Sequence, residues 1–278
     1  MTDYVVTLPG VYIRRLTDLA EDSGINPEGW LKSKGISHFS LDDIVSMPWQ
    51  TFNDMLVELA QVSKEVAIGL AFGQRLSINT HGNLGFAIMS CSTVREAATL
   101  LTTYLPLRTN LLSLALDEDH DSLIITFSPC HPLGDVKRFV LQGIVLAIKN
   151  IFDFITIGQS DIKEVAFPFS KNKDDDLARS LFKCPIHYQQ HWTGFKLPLN
   201  KADKRLKMSN SIGLNQALHV CEAELQKLAS THSYSAELRK LIYKSITAIP
   251  SLEVAAQQLY LTPRTLHRRL IAEGTSYK

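Results

Sequence analysis

The chain has 278 residues, 45% of them apolar, with 29 Lys/Arg against 28 Asp/Glu. That length suits two domains with a substantial core, and a net charge of +1 does not by itself suggest nucleic acid. No apolar run approaches the roughly 18 residues needed to span a membrane, which excludes a membrane-crossing helix.

Asp3 precedes the first apolar stretch and Arg14-Arg15 follows it, the wrong order for a signal peptide. Cys91, Cys130, Cys184 and Cys221 are scattered without a disulfide framework. They read as buried thiols of a reducing compartment, and the cytoplasm is the expected location.

Residues 1 to about 75 read mainly as helices. Tyr12, Ile13, Leu16, Leu19 and Ala20 recur at helical spacing until Gly24-Ile25-Asn26-Pro27 breaks the run. Thr51–Leu59 and Ala67–Phe72 are two more helices. Gly82-x-x-Gly85 lacks the pattern of a phosphate loop and reads as a turn or a point of tight packing. Ser90-Cys91-Ser92-Thr93 is a capping sequence for a helix through Tyr104.

The period then changes. Leu112–Leu116 and Leu123–Phe127 flank an Asp-rich turn and predict a hairpin. Val136–Ile157 is a long apolar helix, expected to be central. Val165–Phe167, Ile186–Tyr188 and Gly194–Leu197 are short strands, and Asp174–Phe182 is a short helix. Asp174-Asp175-Asp176 precedes that helix, where acids complement its dipole, so a metal-binding reading is set aside. Cys184, His187 and His191 have metal-like spacing, but no acidic or Cys partner stands nearby in sequence, so a metal reading is set aside. No nucleophile motif appears, and His120, His131 and scattered Ser and Asp residues form no recognisable triad.

Leu214, Leu218, Cys221, Leu225 and Leu228 make a stripe two heptads long. It fits a linker helix packed on its own domain and a dimer seam equally well.

The last segment is the most informative. Between Ser235 and Lys278 there are seven Lys/Arg and three acids, a basic end on a nearly neutral chain. Ser251 is an N-cap, with Glu253 near the first free N–H groups. Leu252, Ala255, Ala256 and Leu259 follow helical spacing, and the alanines allow a second helix to cross closely. Tyr260 and Leu261 make a turn. Thr262 caps a second helix, Pro263 sits at N1, and Gly274 ends it. Leu266 and Leu270 share one face. Arg264 and Arg268 lie opposite, Thr265 points outward, and His267 and Arg269 sit on the shoulders. That is the layout of a recognition helix.

VAAQQLYLTPRTLHRRLIAEGTSYK resembles the first helix-turn-helix of the AraC/XylS family of bacterial transcription regulators. One position departs: Tyr260 stands where the family usually has Gly, and a left-handed residue there costs a side chain about 1–2 kcal/mol. The resemblance places Arg264, His267 and Arg268 at the usual base-contacting positions. It also implies a second motif beyond Lys278, so the sequence is expected to be a fragment, and Ile271 to have a partner in the missing part.

His81 to about Leu206 resembles the effector domain of one branch of the family. The matching pieces are His81-Gly82-Asn83-Leu84-Gly85-Phe86, Thr93–Tyr104, Val165-Ala166-Phe167-Pro168, Phe182–Tyr188 and Gly194–Leu199.

The expected fold is an α+β sensor domain, with helices on a small antiparallel or mixed sheet, followed by an all-α helix-turn-helix subdomain. The expected division is 1–205 for effector sensing and dimerisation, 206–234 for a linker helix, and 235–278 for DNA binding. The expected function is a DNA-binding transcription regulator with a small-molecule effector, no cofactor and no bound metal. It would form a homodimer, with RNA polymerase a further candidate partner. Ser251, Thr262, Arg264, Thr265, His267, Arg268 and Arg269 are the candidate DNA contacts. His81, Tyr104 and Arg108 are candidate effector anchors. The competing reading is an enzyme or small-molecule-binding protein with an incidental helical tail.

Overall fold

A computed structural model describes residues 5–37, 41, 44–63, 67–231, 238, 241–242, 250–259, 261–272 and 275–277. The chain divides into two compact units, Met1–Cys221 and Glu222–Lys278. The boundary falls inside the helix Ser211–Thr231.

The first unit opens with a strand that the helical reading of this region did not include. β1 (Val5–Pro9) pairs antiparallel with β2 (Ile44–Pro48). Each strand ends in proline, and a helix begins on the next residue: α1 (Gly10–Asp22) after Pro9, and α3 (Trp49–Val62) after Pro48. Proline has no N–H to extend a ladder, and its restricted φ suits the residue just before a helix. Between them, α2 (Pro27–Ser33) starts at the predicted break, because the Asn26 side chain accepts from the N–H groups of Glu28 and Gly29.

α4 (Ile68–Arg75) follows, then a 3₁₀ turn at Ile78–His81, then α5 (Gly82–Ser90), a helix where the two glycines predict a turn or tight packing. Both expectations hold in part. Gly82 has φ +56 and makes the turn, while a Cβ at Gly85 would lie 2.1 Å from the Ile78 carbonyl oxygen. α6 (Val94–Tyr104) begins with the expected cap: Thr93 accepts from Glu96 N–H, and the Glu96 carboxylate accepts from Ser92.

β3 (Leu112–Glu118) and β4 (Ser122–Pro129) form the predicted hairpin, with Leu114 opposite Phe127. α7 (Lys137–Ile155) is the long apolar helix, buried along most of its length. β5 (Glu164–Ala166), α8 (Asp175–Phe182), β6 (Ile186–His187) and β7 (Gly194–Pro198) complete a five-stranded sheet in the order β3-β4-β7-β5-β6. Only the β5–β6 pairing is parallel, so the sheet is mixed. After Pro198 comes the short α9 (Leu199–Ala202), a third strand–proline–helix junction.

The core forms where α7 meets the sheet and α4. Phe152 of α7 packs edge-on against Phe195 of β7, which also meets Phe127 of β4. On the α4 side glycine permits backbone contact: a Cβ at Gly73 would lie 2.6 Å from the Gly143 carbonyl oxygen. α10 (Ser211–Thr231) buries Leu214, Ala217 and Cys221. The first half of the predicted stripe is thus packed inside its own chain, while Leu218, Leu225 and Leu228 are half-buried.

The second unit has a small core of Leu238, Ala255, Ala256, Leu266 and Leu270, with Ile242, Leu252, Leu259, Leu261 and Tyr277 packed against it. Among the described residues, no helix is long and apolar enough to cross a membrane.

Candidate functional site

Two helices carry the candidate DNA-binding residues. Leu252–Gln258 starts where the Ser251 hydroxyl accepts from Val254 N–H at 3.3 Å. Hydrogen bonds from the Ser251 hydroxyl and from its own backbone N–H hold the Glu253 carboxyl below its usual range, the backbone bond being the larger cause. Ala255 and Ala256 are fully buried, and Leu261 N–H closes the turn on the Ala256 carbonyl.

Pro263–Ala272 is the second helix. The Thr262 hydroxyl accepts from Thr265 N–H at 3.2 Å, as a cap should. Leu266 and Leu270 are buried, while Arg264, His267 and Arg268 are exposed. Thr265 has a second role beside its outward position. It is half-buried, and its hydroxyl lies 2.8 Å from that of Thr262, so it serves the cap. Arg269 is also half-buried. Ile271 is 58% exposed on the arginine side. The Tyr277 hydroxyl donates to the Pro250 carbonyl. Tyr260, Glu273, Gly274 and Lys278 lie outside the described residues, and with them the turn and C-cap expectations.

The first unit contains a cavity of about 80 Å³ lined mainly by α1, α3, α7 and the segment Leu105–Leu112. Leucine, isoleucine and phenylalanine make up most of its wall, and Tyr12, His81, Arg108 and Thr109 are its polar members. His81 and Arg108 therefore line one space, in keeping with their grouping as candidate anchors. Tyr104 is not among the lining residues. It sits half-buried on the last turn of α6, just before the chain turns inward at Leu105.

Sequence reasoning missed Tyr12. Its apolar neighbours in α1 make it look like one more core residue, and only a hydroxyl on a buried helical stripe could have flagged it. That hydroxyl lies 2.5 Å from His81 Nδ1. His81 Nε2 is buried and has no hydrogen-bond partner among the described residues. Burial, and then the nearby Arg108 charge, push the imidazole down to about 3, so the ring is neutral near pH 7. Burial raises the Tyr12 hydroxyl strongly, partly offset by Arg108. Gly82 makes room for Arg108, because a Cβ there would lie 3.2 Å from its Nη2.

The side chains of the other constellations have partners within the first unit. Asp174 meets Gln142 at 3.0 Å and Arg138 at 3.8 Å, and Asp175 meets Lys171 and Arg179. His187 lies 3.3 Å from Glu164. Cys184 is half-buried, and its thiol is pushed up to about 11, chiefly by burial.

Residues 24–206 match the family model of the arabinose-binding domain of the AraC transcription regulator. The chain belongs to the AraC family of transcription regulators. It is 23% identical over 272 residues to an ornithine utilization regulator of Pseudomonas aeruginosa, covering 98% of this chain and 80% of that one. It is 25% identical over 281 residues to an HTH-type transcriptional regulator of Mycobacterium tuberculosis, covering 96% and 80%. The crystal structure of the transcriptional regulator CdpR from P. aeruginosa shares the fold, with a TM-score of 0.54 at 19% identity over 94% of this chain and 81% of that one. This AraC-type chain is accordingly a DNA-binding regulator with a small-molecule sensing domain, and not an enzyme.

Proposed function

We propose that Arg264, His267 and Arg268 read base edges in the major groove, and that Ser251, Thr262, Thr265 and Arg269 position the helix pair on phosphates. The observation that carries this reading is the sorting of one capped helix: Leu266 and Leu270 buried, with the two arginines and His267 on the exposed side. A guanidinium fork suits guanine O6 and N7, and each good bidentate contact contributes about 1–3 kcal/mol of discrimination.

The apolar cavity is the proposed effector site, with His81 and Arg108 as anchors. The family's description names arabinose for AraC. A pentose carries hydroxyls around its ring, and each would need a partner once buried. The wall here is aliphatic and aromatic apart from four residues, so it suits a molecule with an apolar body and one polar end. Effector binding would shift the packing of α1, α6 and α7 and so the presentation of the recognition helix. A homodimer paired through the exposed side of α10, acting in the cytoplasm with RNA polymerase as a further partner, completes the proposal.

The test measures affinity for an operator recovered by selection from random DNA. Arg264→Ala and Arg268→Ala should each weaken it about tenfold or more, and relax the preference at separate base positions. Equal affinity and unchanged preference in both variants would overturn the recognition-helix assignment.

A further inference from the structure

Four residues bring polar groups to the otherwise apolar wall of the cavity. Three of them are engaged. The Thr109 hydroxyl accepts from Leu111 N–H at 3.1 Å. Arg108 has interactions of its own. The Tyr12 hydroxyl lies 2.5 Å from His81 Nδ1. His81 Nε2 remains. It is buried, on a residue only 7% exposed, and it has no hydrogen-bond partner among the described residues.

The pairing with Tyr12 decides what Nε2 can do. The imidazole is neutral, so one ring nitrogen carries a proton and the other a lone pair. If Tyr12 donates to Nδ1, the ring proton sits on Nε2, and one buried donor is unmatched. If Nδ1–H donates to Tyr12 instead, two groups are unmatched, the Tyr12 proton and the Nε2 lone pair. The described residues show no second partner for the Tyr12 hydroxyl. Buried polar groups without partners are costly, so the first arrangement is favoured.

We infer that the effector is a small neutral molecule whose polar group only accepts, a ketone, ester or ether oxygen, held by His81 Nε2–H with its hydrocarbon part against the leucines and phenylalanines of the wall. This inference rests on the effector-cavity reading above. A hydrocarbon alone would leave Nε2–H unmatched. An alkylammonium would bring three donors to a wall with no Asp or Glu among its described residues. A carboxylate would bury a full charge on one neutral donor, unless it drew Arg108 away from its present interactions. Size limits the hydrocarbon part. The cavity of about 80 Å³ is about half of an apolar cavity that accepts benzene, roughly 150 Å³, which leaves room for about four to six carbons.

The test is calorimetric titration of the purified full chain with butanone, 2-pentanone and cyclopentanone. Each is compared with the hydrocarbon in which a methylidene group replaces the carbonyl oxygen, and with pentanoate and pentylamine. One ketone should bind about tenfold tighter than its hydrocarbon, and His81→Phe should erase that difference. The ¹⁵N shifts of the His81 ring, assigned by their loss in His81→Gln, should show the proton on Nε2. The wild-type comparison and the ring shifts decide the point even if a variant fails to fold. Ketone and hydrocarbon binding equally, the acid or amine binding best, or a proton found on Nδ1 would overturn the acceptor and leave the cavity reading standing. A preference that survives in His81→Phe would do the same. If none of the probes binds, both the acceptor and the effector-cavity reading fail.

Discussion

His81 shows how one buried residue can couple stability to pH. Its imidazole falls from an ordinary 6.5 to about 3 because burial penalises the charged ring, with Arg108 adding repulsion. Between those values the unfolded chain binds a proton that the folded chain refuses. Stability is therefore unaffected above pH 6.5 and declines as pH falls from 6.5 toward 3, by up to about 1.4 kcal/mol per pH unit. Denaturant unfolding of wild type and His81→Gln across that window should give a stability difference that changes with pH and levels off above 6.5. A constant difference would show that the imidazole is not held neutral by the fold. His81 and Arg108 could be named as candidates from the sequence. Tyr12 could not, since its partner lies 69 positions away and its helix face reads simply as apolar.

At the scale of elements, the packing of α4 on α7 depends on missing side chains. Cβ atoms at Gly69 and Gly73 would lie 2.6 Å from the carbonyl oxygens of Phe139 and Gly143. Those neighbours are backbone and cannot rotate away. Gly73→Ala should therefore cost about 1–3 kcal/mol in chemical denaturation, although alanine is the better helix former. A stabilised variant would mean that the two helices can separate freely. The hairpin and α7 were visible in the sequence because period and length identify them locally. β1 and β2 were not. Each is five residues long and ends in proline, too short an alternation to set it apart from the helical residues around it.

For the whole molecule, charge is nearly balanced, yet seven Lys/Arg against three acids fall in the last 44 residues. Operator affinity should fall linearly on a log–log plot against salt. Arg269→Ala, a proposed phosphate contact, should flatten the slope by about 0.9 while leaving base preference intact. A slope unchanged in Arg269→Ala would remove it from the phosphate contacts.

The helix-turn-helix was legible in the amino-acid sequence because its determinants are local. Ser251, Thr262, the two alanines and the spacing of Leu266 and Leu270 act within a few residues of one another. Even there, the bond between the Thr265 and Thr262 hydroxyls depends on a rotamer that spacing does not specify. The cavity is the opposite case. Its wall comes mainly from α1, α3, α7 and the segment Leu105–Leu112, and its polar end exists only because folding sets Tyr12 against His81 and Arg108 over Gly82. The sequence by itself determined a DNA-binding end and an apolar sensor. That Tyr12, His81 and Arg108 meet at one cavity was decided by tertiary packing, because burial and hydrogen-bond pairing between distant segments leave no periodic mark in the chain.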